Sequence, residues 1–182
     1  MFICVKNNIA CSELWVDDEF EIMAMEIKGS DPKCTWEIVG IYRAPNEDIR
    51  VFKNLASRTG FLGNSMKRST IGGNLNLPQI DWKGSAEGTS VAQINKFINK
   101  LIWDNGNTQV VGQPTRRDSL LDVYLVRPER SLISCDTVQW ISDHCGVLLM
   151  WNGQKNFCDS GETTSTRVPQ SKCVRATTVS SQ

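Results

Sequence analysis

Residues 71–78 read Ile-Gly-Gly-Asn-Leu-Asn-Leu-Pro, and this stretch decides the fold of the chain. The apolar and β-branched residues over 70–75 predict a strand, and the Asn-Leu-Pro that follows predicts a turn. Taken alone, the segment is an ordinary strand-to-turn transition, because Gly and Asn are common turn residues. Its meaning depends on what lies around it.

Strands and helices alternate on both sides of this stretch. Apolar runs predict further strands over residues 2–5, 20–27, 36–42, 108–111, 120–126, 132–139 and 146–151. Strands outnumber helices, which is typical of a mixed α/β fold in which packed sheets carry helices on the outside.

Two helices are predicted from apolar residues at helical spacing. Asn46 caps the first, which ends at the breaker Gly60, and its apolar face holds Ile49, Phe52, Leu55 and Ala56. Thr89 or Ser90 caps the second, which ends at Gly106, and its apolar stripe holds Val91, Ile94, Phe97, Ile98, Leu101 and Ile102.

Composition limits the possible classes. The chain has 182 residues, of which 40% are hydrophobic, and this is enough for one core. Lys plus Arg equals Asp plus Glu at 20 each, so any contact with nucleic acid must be local. Since neither a signal peptide nor a membrane span is evident, we expect an intracellular protein, nuclear or cytoplasmic, that is not secreted and has no membrane partner. Seven scattered cysteines without a Cys-x-x-Cys pair are expected to be reduced thiols.

The chain changes character after Trp151. Residues 152–182 are rich in Ser and Thr, carry scattered basic residues and show no apolar periodicity. We therefore expect one folded domain over 1–151 and a disordered tail over 152–182.

Residues 142–144 read Ser-Asp-His and precede the last predicted strand. His144 is the only histidine, and an imidazole can donate a proton or a hydrogen bond near neutral pH. A tripeptide is a weak signal by itself, and a lone histidine is more often a surface or capping residue. Its position after the Asn-rich turn strengthens the functional interpretation.

Three further segments contain candidate site residues. Tyr42 ends a predicted strand, where a core tyrosine is the simplest interpretation. Asp122 lies in an apolar strand, and the sequence is equally compatible with a functional Asp and with a surface Asp on an edge strand. Residues 115–117, Thr-Arg-Arg, could contact DNA phosphates, although a solvated turn is the simpler expectation.

Together these motifs resemble the endonuclease/exonuclease/phosphatase superfamily. The phrase at residues 72–82, Gly-Gly-Asn-Leu-Asn-Leu-Pro-Gln-Ile-Asp-Trp, is most similar to the endonuclease domains of non-LTR retrotransposons, the LINE type. The resemblance spans residues 2–151 and implies a four-layer α/β sandwich of the deoxyribonuclease I-like type, with two packed mixed sheets and outer helices. In the family, strands carrying an Asn and a metal-binding Glu precede the segment that residues 2–5 resemble. The domain is therefore expected to be incomplete at its N-terminus.

The resemblance also implies roles for individual residues. Asp143 would bind Mg²⁺ or Mn²⁺, and catalytic or phosphate-binding roles fall on His144, its orienting partner Asp122, Asn76, Tyr42 and position 74. Thr115, Arg116 and Arg117 would bind nucleic acid. Position 74 departs from the family, which has Asp where this chain has Asn74. An amide can orient a water but cannot accept its proton.

The expected function is that of a metal-dependent phosphodiesterase that nicks DNA and leaves a 3′-hydroxyl to prime reverse transcription. The implied partners are DNA and the reverse transcriptase domain of a parent polyprotein. Asn74 and the absent Glu predict weak or no activity. The alternatives are a non-catalytic, degenerate fragment with residual DNA binding, and a phosphatase of the same superfamily. A phosphatase would need a basic pocket, for which the sequence offers only Lys67-Arg68 and Arg116-Arg117.

Overall fold

A computed structural model describes residues 3–29, 35–45, 50–63, 68–80, 82, 92–99, 106–140 and 143–151. The α-helices are α1 (Arg50–Gly63) and α2 (Ala92–Asn99). The strands are β1 (Cys11–Asp17), β2 (Ile22–Lys28), β3 (Thr35–Tyr42), β4 (Arg68–Asn74), β5 (Thr108–Gln109), β6 (Asp122–Arg127), β7 (Leu132–Trp140) and β8 (Cys145–Trp151). A short 3₁₀ turn, Glu129–Ser131, links β6 to β7.

Six of these strands form one mixed sheet in the order β1-β2-β3-β4-β6-β5. Every pairing in it is antiparallel except that of β3 with β4. A parallel pair needs a crossover connection, and α1 lies between these two strands in the chain. Strands β7 and β8 form a second, antiparallel sheet.

One face of the large sheet is covered by the two helices. Val51, Phe52 and Leu55 of α1 are almost fully buried there. Ile98 of α2 joins the same hydrophobic cluster, and Ile94 packs against it. The strands contribute alternate residues to this cluster, as the pleat requires: Ile22, Ala24, Val39, Ile41, Ile71, Val123 and Leu125.

The other face of the large sheet packs against the β7–β8 sheet. Tyr124 and Val126 point to this side and share a second hydrophobic cluster with Leu149 of β8. At the far end, the rings of Trp36 and Trp151 meet edge to face with centroids 4.6 Å apart. The predicted arrangement of packed sheets with helices outside is thus present among the described residues.

Most predicted elements are confirmed. The apolar helix face at Phe52 and Leu55 is buried as expected, and α1 continues to Gly63 instead of ending at Gly60. The predicted strand over residues 2–5 is wrong at residues 3–5, which have no regular structure. The predicted caps of both helices, and the tail over 152–182, lie outside the described residues.

Strand β1 was not predicted from the sequence. Its residues are mostly exposed, Leu14 and Val16 included, because it forms an edge of the large sheet. An edge strand of this kind buries too little of either face to show an apolar alternation.

Two further expectations concern chemistry and location. Cys4, Cys11, Cys135 and Cys145 are free thiols, in keeping with the expected reduced state of the cysteines. Within the described part of the chain, neither helix has the length and apolar character needed to cross a membrane.

Candidate functional site

Three of the predicted site residues lie in one row across the large sheet. Tyr42 pairs with Asn74 between the parallel strands β3 and β4, and Asn74 pairs with Asp122 between β4 and β6. Paired residues on neighbouring strands project to the same face, so these three side chains share the face that also carries Tyr124. Each is partly exposed, and the row lies where β3 and β4 end and β6 begins.

His144 is brought to this row by a contact with Asp122. Its Nδ1 lies 2.6 Å from Oδ2 of Asp122, and the two side chains are only 21% and 17% exposed. An ionised carboxylate can only accept hydrogen bonds, so this contact places the proton on Nδ1. Nε2 is then the ring nitrogen left for a ligand.

A buried threonine fixes both members of this pair. Thr115 is fully buried, and its Oγ1 accepts hydrogen bonds from the backbone N–H groups of Leu121 (3.1 Å) and Asp122 (3.0 Å). Its carbonyl oxygen accepts a 2.7 Å hydrogen bond from the N–H of Cys145, the residue after His144. Thr115 therefore joins the start of β6 to the start of β8. The predicted DNA contact of Thr115 stays a prediction, and its hydroxyl oxygen is already engaged by these two backbone groups.

The turn after β4 is held by its two asparagines. Oδ1 of Asn74 accepts a 2.9 Å hydrogen bond from the backbone N–H of Asn76, the pattern of an Asx turn. Asn76 itself has a φ of 48°, a left-handed conformation that asparagine tolerates better than most residues. Its Nδ2 donates a 2.7 Å hydrogen bond to the carbonyl oxygen of Arg43. The side chain of Asn76 therefore has a fixed orientation beside the row.

The remaining predicted residues lie at the exposed rim of the site. Nη2 of Arg116 is 2.5 Å from Oδ2 of Asp143, and these side chains are 44% and 62% exposed. Arg117 is exposed and has a φ of 51°. Arg116 thus lies beside Asp143, and the carboxylate of Asp143 is engaged by this cation from the protein.

The residues present do not fit a magnesium centre on their own. In the part of the chain that the structure describes, no three His, Cys, Asp or Glu side chains converge on a point that could hold a metal ion. Asp122 contacts His144, Asp143 contacts Arg116, and position 74 carries an amide. Mg²⁺ needs carboxylates that are available to it, because it gives up its own water reluctantly.

Sequence reasoning missed Arg43, which contacts the turn after β4, and did not foresee that Thr115 joins β6 to β8. Arg43 contacts carbonyl oxygens at separations of 32 and 33 residues, and the carbonyl oxygen of Thr115 contacts the N–H of Cys145 in β8. A Tyr-Arg pair at the end of a predicted strand was the one available signal.

Comparison with solved structures supports the architecture. The chain is similar to the endonuclease domain of TRAS1, a telomere-specific non-LTR retrotransposon, with a TM-score of 0.59 and 18% sequence identity. The match covers 77% of this chain and 65% of that domain, so the chain spans less than two thirds of the structure that it matches. At this identity the similarity shows the fold, which is that of a deoxyribonuclease I-like endonuclease domain.

The curated proteins contain no match to this chain. The model of a protein family described as endonuclease-reverse transcriptase matches residues 36–148, which is more than half of the sequence. This matched region includes the row of Tyr42, Asn74 and Asp122 together with His144. On that match, the chain belongs to the endonuclease-reverse transcriptase family.

Proposed function

We propose that this chain is a retrotransposon endonuclease-like domain that binds DNA at the row of Tyr42, Asn74 and Asp122 and cleaves it weakly. The observation that carries the proposal is the convergence of these three strand-end residues with His144, which Asp122 holds at 2.6 Å. Residues separated by more than one hundred positions meet at one end of the sheet, as a phosphodiester site requires.

The side chains match what a phosphodiester offers. A phosphate carries oxygens that only accept hydrogen bonds, and the hydroxyl of Tyr42 and the second N–H of the Asn76 amide can each donate to one. Nε2 of His144 can donate as well when the ring is in its imidazolium form, in which both nitrogens carry a proton. Arg117 and Arg116 supply cations at the rim, where the DNA backbone would pass. Asp122 holds the imidazole through Nδ1, so Nε2 is the ring nitrogen left for the phosphate.

Cleavage is proposed to be weak because position 74 holds an amide. The attacking water must lose a proton, and the family has Asp at this position, whereas Asn74 cannot accept one. The fold would act with Mg²⁺ or Mn²⁺ in an active relative, but the site carboxylates Asp122 and Asp143 are already paired within the protein. DNA binding needs neither the proton acceptor nor the metal ion, so it depends on fewer groups than cleavage does.

The partners follow from the same proposal. DNA is the proposed ligand, and the reverse transcriptase domain of a parent polyprotein is the proposed covalent neighbour. A nick in genomic DNA would supply the 3′-hydroxyl that primes reverse transcription of the element RNA. The second candidate function is DNA binding without cleavage, which the Arg116–Asp143 ion pair and Asn74 favour.

The test is a plasmid-nicking assay with Mg²⁺ or Mn²⁺ on the chain and on three variants. Asn74→Asp is isosteric and its Oδ1 keeps the hydrogen bond from the N–H of Asn76, so it adds a proton acceptor without disturbing the turn. A general base contributes about 100-fold or more, so nicking should rise by about that factor. His144→Ala in the same background should remove the gain, and Lys96→Ala, an exposed substitution on α2, should leave it intact.

The outcomes separate the two candidates. A wild-type chain that nicks as fast as Asn74→Asp would show that the amide does not limit cleavage. Absence of nicking by every variant, combined with measurable binding to a DNA duplex, would select binding without cleavage. Absence of both nicking and binding would overturn the proposal.

A further inference from the structure

Arg43 lies behind the turn that follows β4 and contacts it through both its backbone and its side chain. Its backbone N–H donates a 2.9 Å hydrogen bond to the carbonyl oxygen of Asn74. Its own carbonyl oxygen accepts the 2.7 Å hydrogen bond from Nδ2 of Asn76. Its Nη1 lies 3.3 Å from the carbonyl oxygens of both Leu75 and Asn76.

The side chain reaches the turn through the protein interior. Arg43 is only 5% exposed, and its guanidinium lies 5.7 Å from the ring centroid of the fully buried Phe52. Burying a permanently charged group is unfavourable unless hydrogen bonds and a polarisable neighbour stabilise it. Two carbonyl oxygens and an aromatic face provide that stabilisation, and they hold the guanidinium in one place.

The contacts select one backbone conformation of the turn. The left-handed φ of 48° at Asn76 directs the carbonyls of Leu75 and Asn76 toward the same donor. Leu77, which follows, is anchored in the core at 3% exposure. If the donor were removed, both carbonyls would lose a partner, and the turn could relax toward conformations without the positive φ.

We propose that Arg43 is a positioning residue that presents the Asn76 amide to a phosphate oxygen of DNA. The inference rests on the proposed function, because that function supplies the phosphate. Arg43 itself does not contact the DNA. It acts through the turn, and its effect on binding must pass through the side chain of Asn76.

Coupling between the two residues tests this. The probe is a short DNA duplex in EDTA, and its affinity is measured for the wild type, Arg43→Met, Asn76→Ala and the double variant. Methionine keeps an apolar stem against Phe52 but has no donor for the two carbonyls. We expect Arg43→Met to weaken DNA binding about 10-fold, because the Asn76 amide would lose its charge-assisted hydrogen bond to the phosphate. When residue 76 is already alanine, Arg43→Met should weaken binding less than twofold.

Two further variants complete the design. Arg43→Lys retains a donor and should recover part of the lost affinity. Arg50→Met is the matched control, because Arg50 also lies over a phenylalanine, at 5.9 Å from the centroid of Phe20, but on α1 and away from the turn. It should bind the duplex as the wild type does. Additive losses from Arg43→Met and Asn76→Ala would overturn the proposal and leave Arg43 as a residue of the core.

A second measurement does not need DNA. The NMR signals of the Asn76 side-chain amide should show one proton that is shifted and protected from exchange by its hydrogen bond to the backbone carbonyl oxygen of Arg43. Arg43→Met keeps this carbonyl but releases the turn, so the protection should be lost. Protection that persists in Arg43→Met would overturn the positioning role. If the wild type fails to bind DNA but the amide behaves as expected, the proposed function fails and the control of Asn76 by Arg43 stands.

Discussion

Gly73 lies directly before the site row, at a point where the backbone leaves no room for a side chain. Its φ is +144°, a region that L side chains rarely adopt, and a methyl group there would overlap the carbonyl oxygen of Ile41 on the neighbouring strand. Its neighbour Gly72 lies against the ring of Tyr124, which a methyl group would also overlap. The two glycines therefore let β3, β4 and β6 approach closely enough to bring the site residues together.

Gly73→Ala should reduce the free energy of unfolding by about 3 kcal/mol, because it combines backbone strain with overpacking between strands. The measurement is chemical denaturation followed by tryptophan fluorescence. Gly112→Ala is the control, since no atom lies within 4 Å of the added methyl group and its φ is not positive. It should change stability by less than about 0.5 kcal/mol. Equal losses from both variants would show that the close approach at Gly73 is not what stabilises the sheet.

At the scale of elements, β1 is joined to α1 by one cluster of polar and aromatic contacts. The guanidinium of Arg58 lies 4.7 Å from the ring centroid of Trp15, and its Nη2 is 3.2 Å from Oδ2 of Asp17. Asn54 donates a 2.8 Å hydrogen bond to the same carboxylate and accepts one of 2.8 Å from Nε of Arg58. The edge strand is thus held by side chains of the helix as well as by its pairing with β2.

Arg58→Ala should loosen β1 without unfolding the rest of the sheet. We expect faster amide hydrogen exchange in β1, equivalent to about 1 kcal/mol of lost local stability, since the contacts are partly exposed. Arg50→Ala removes a more exposed ion pair, with side chains 63% and 64% exposed, and should leave exchange in β1 unchanged. Faster exchange across β3 and β4 as well would mean that β1 and the central strands open as one unit.

The elements that sequence reasoning identified are those that bury a recognisable pattern. Strands β2, β3 and β6 are apolar on one or both faces, so their apolar runs are visible in the sequence. The edge strand β1 carries no such pattern because its pairing with β2, and not burial, forms it. The same limit applies to the site, where motif residues could be selected but their supports could not. The contacts of Arg43 with Leu75 and of Thr115 with Cys145 join residues that only the folded sheets bring together.

At the scale of the whole molecule, the charge balance restricts how the protein can bind DNA. Equal numbers of acidic and basic residues give a formal net charge of +0, so there is no overall attraction to a polyanion. Affinity for DNA must come from the arginines and hydrogen-bond donors around the row. The number of phosphates contacted should therefore be small.

The salt dependence of DNA binding should reflect that small number. We expect a plot of log K against log salt concentration with a slope of about −2 to −3, because each phosphate contact on duplex DNA contributes about −0.9. Arg117→Gln should reduce the magnitude of the slope by about 1 if that arginine meets a phosphate. The control is Arg130→Gln, an exposed arginine in the turn Glu129–Ser131, which should not alter the slope. A slope that is unchanged in Arg117→Gln would remove Arg117 from the binding surface.

The register of β3, β4 and β6 sets how this sequence tolerates insertions and deletions. Tyr42, Asn74 and Asp122 share a face only because each strand pairs without an offset at those positions. Side chains alternate along a strand, so the loss of one codon from β4 ahead of Asn74 would turn its amide toward the helix-covered core, if the strand re-formed by slipping one residue. A point substitution changes one side chain of the row, whereas a single-codon deletion that shifts the register of one of these strands would disrupt the row in one step.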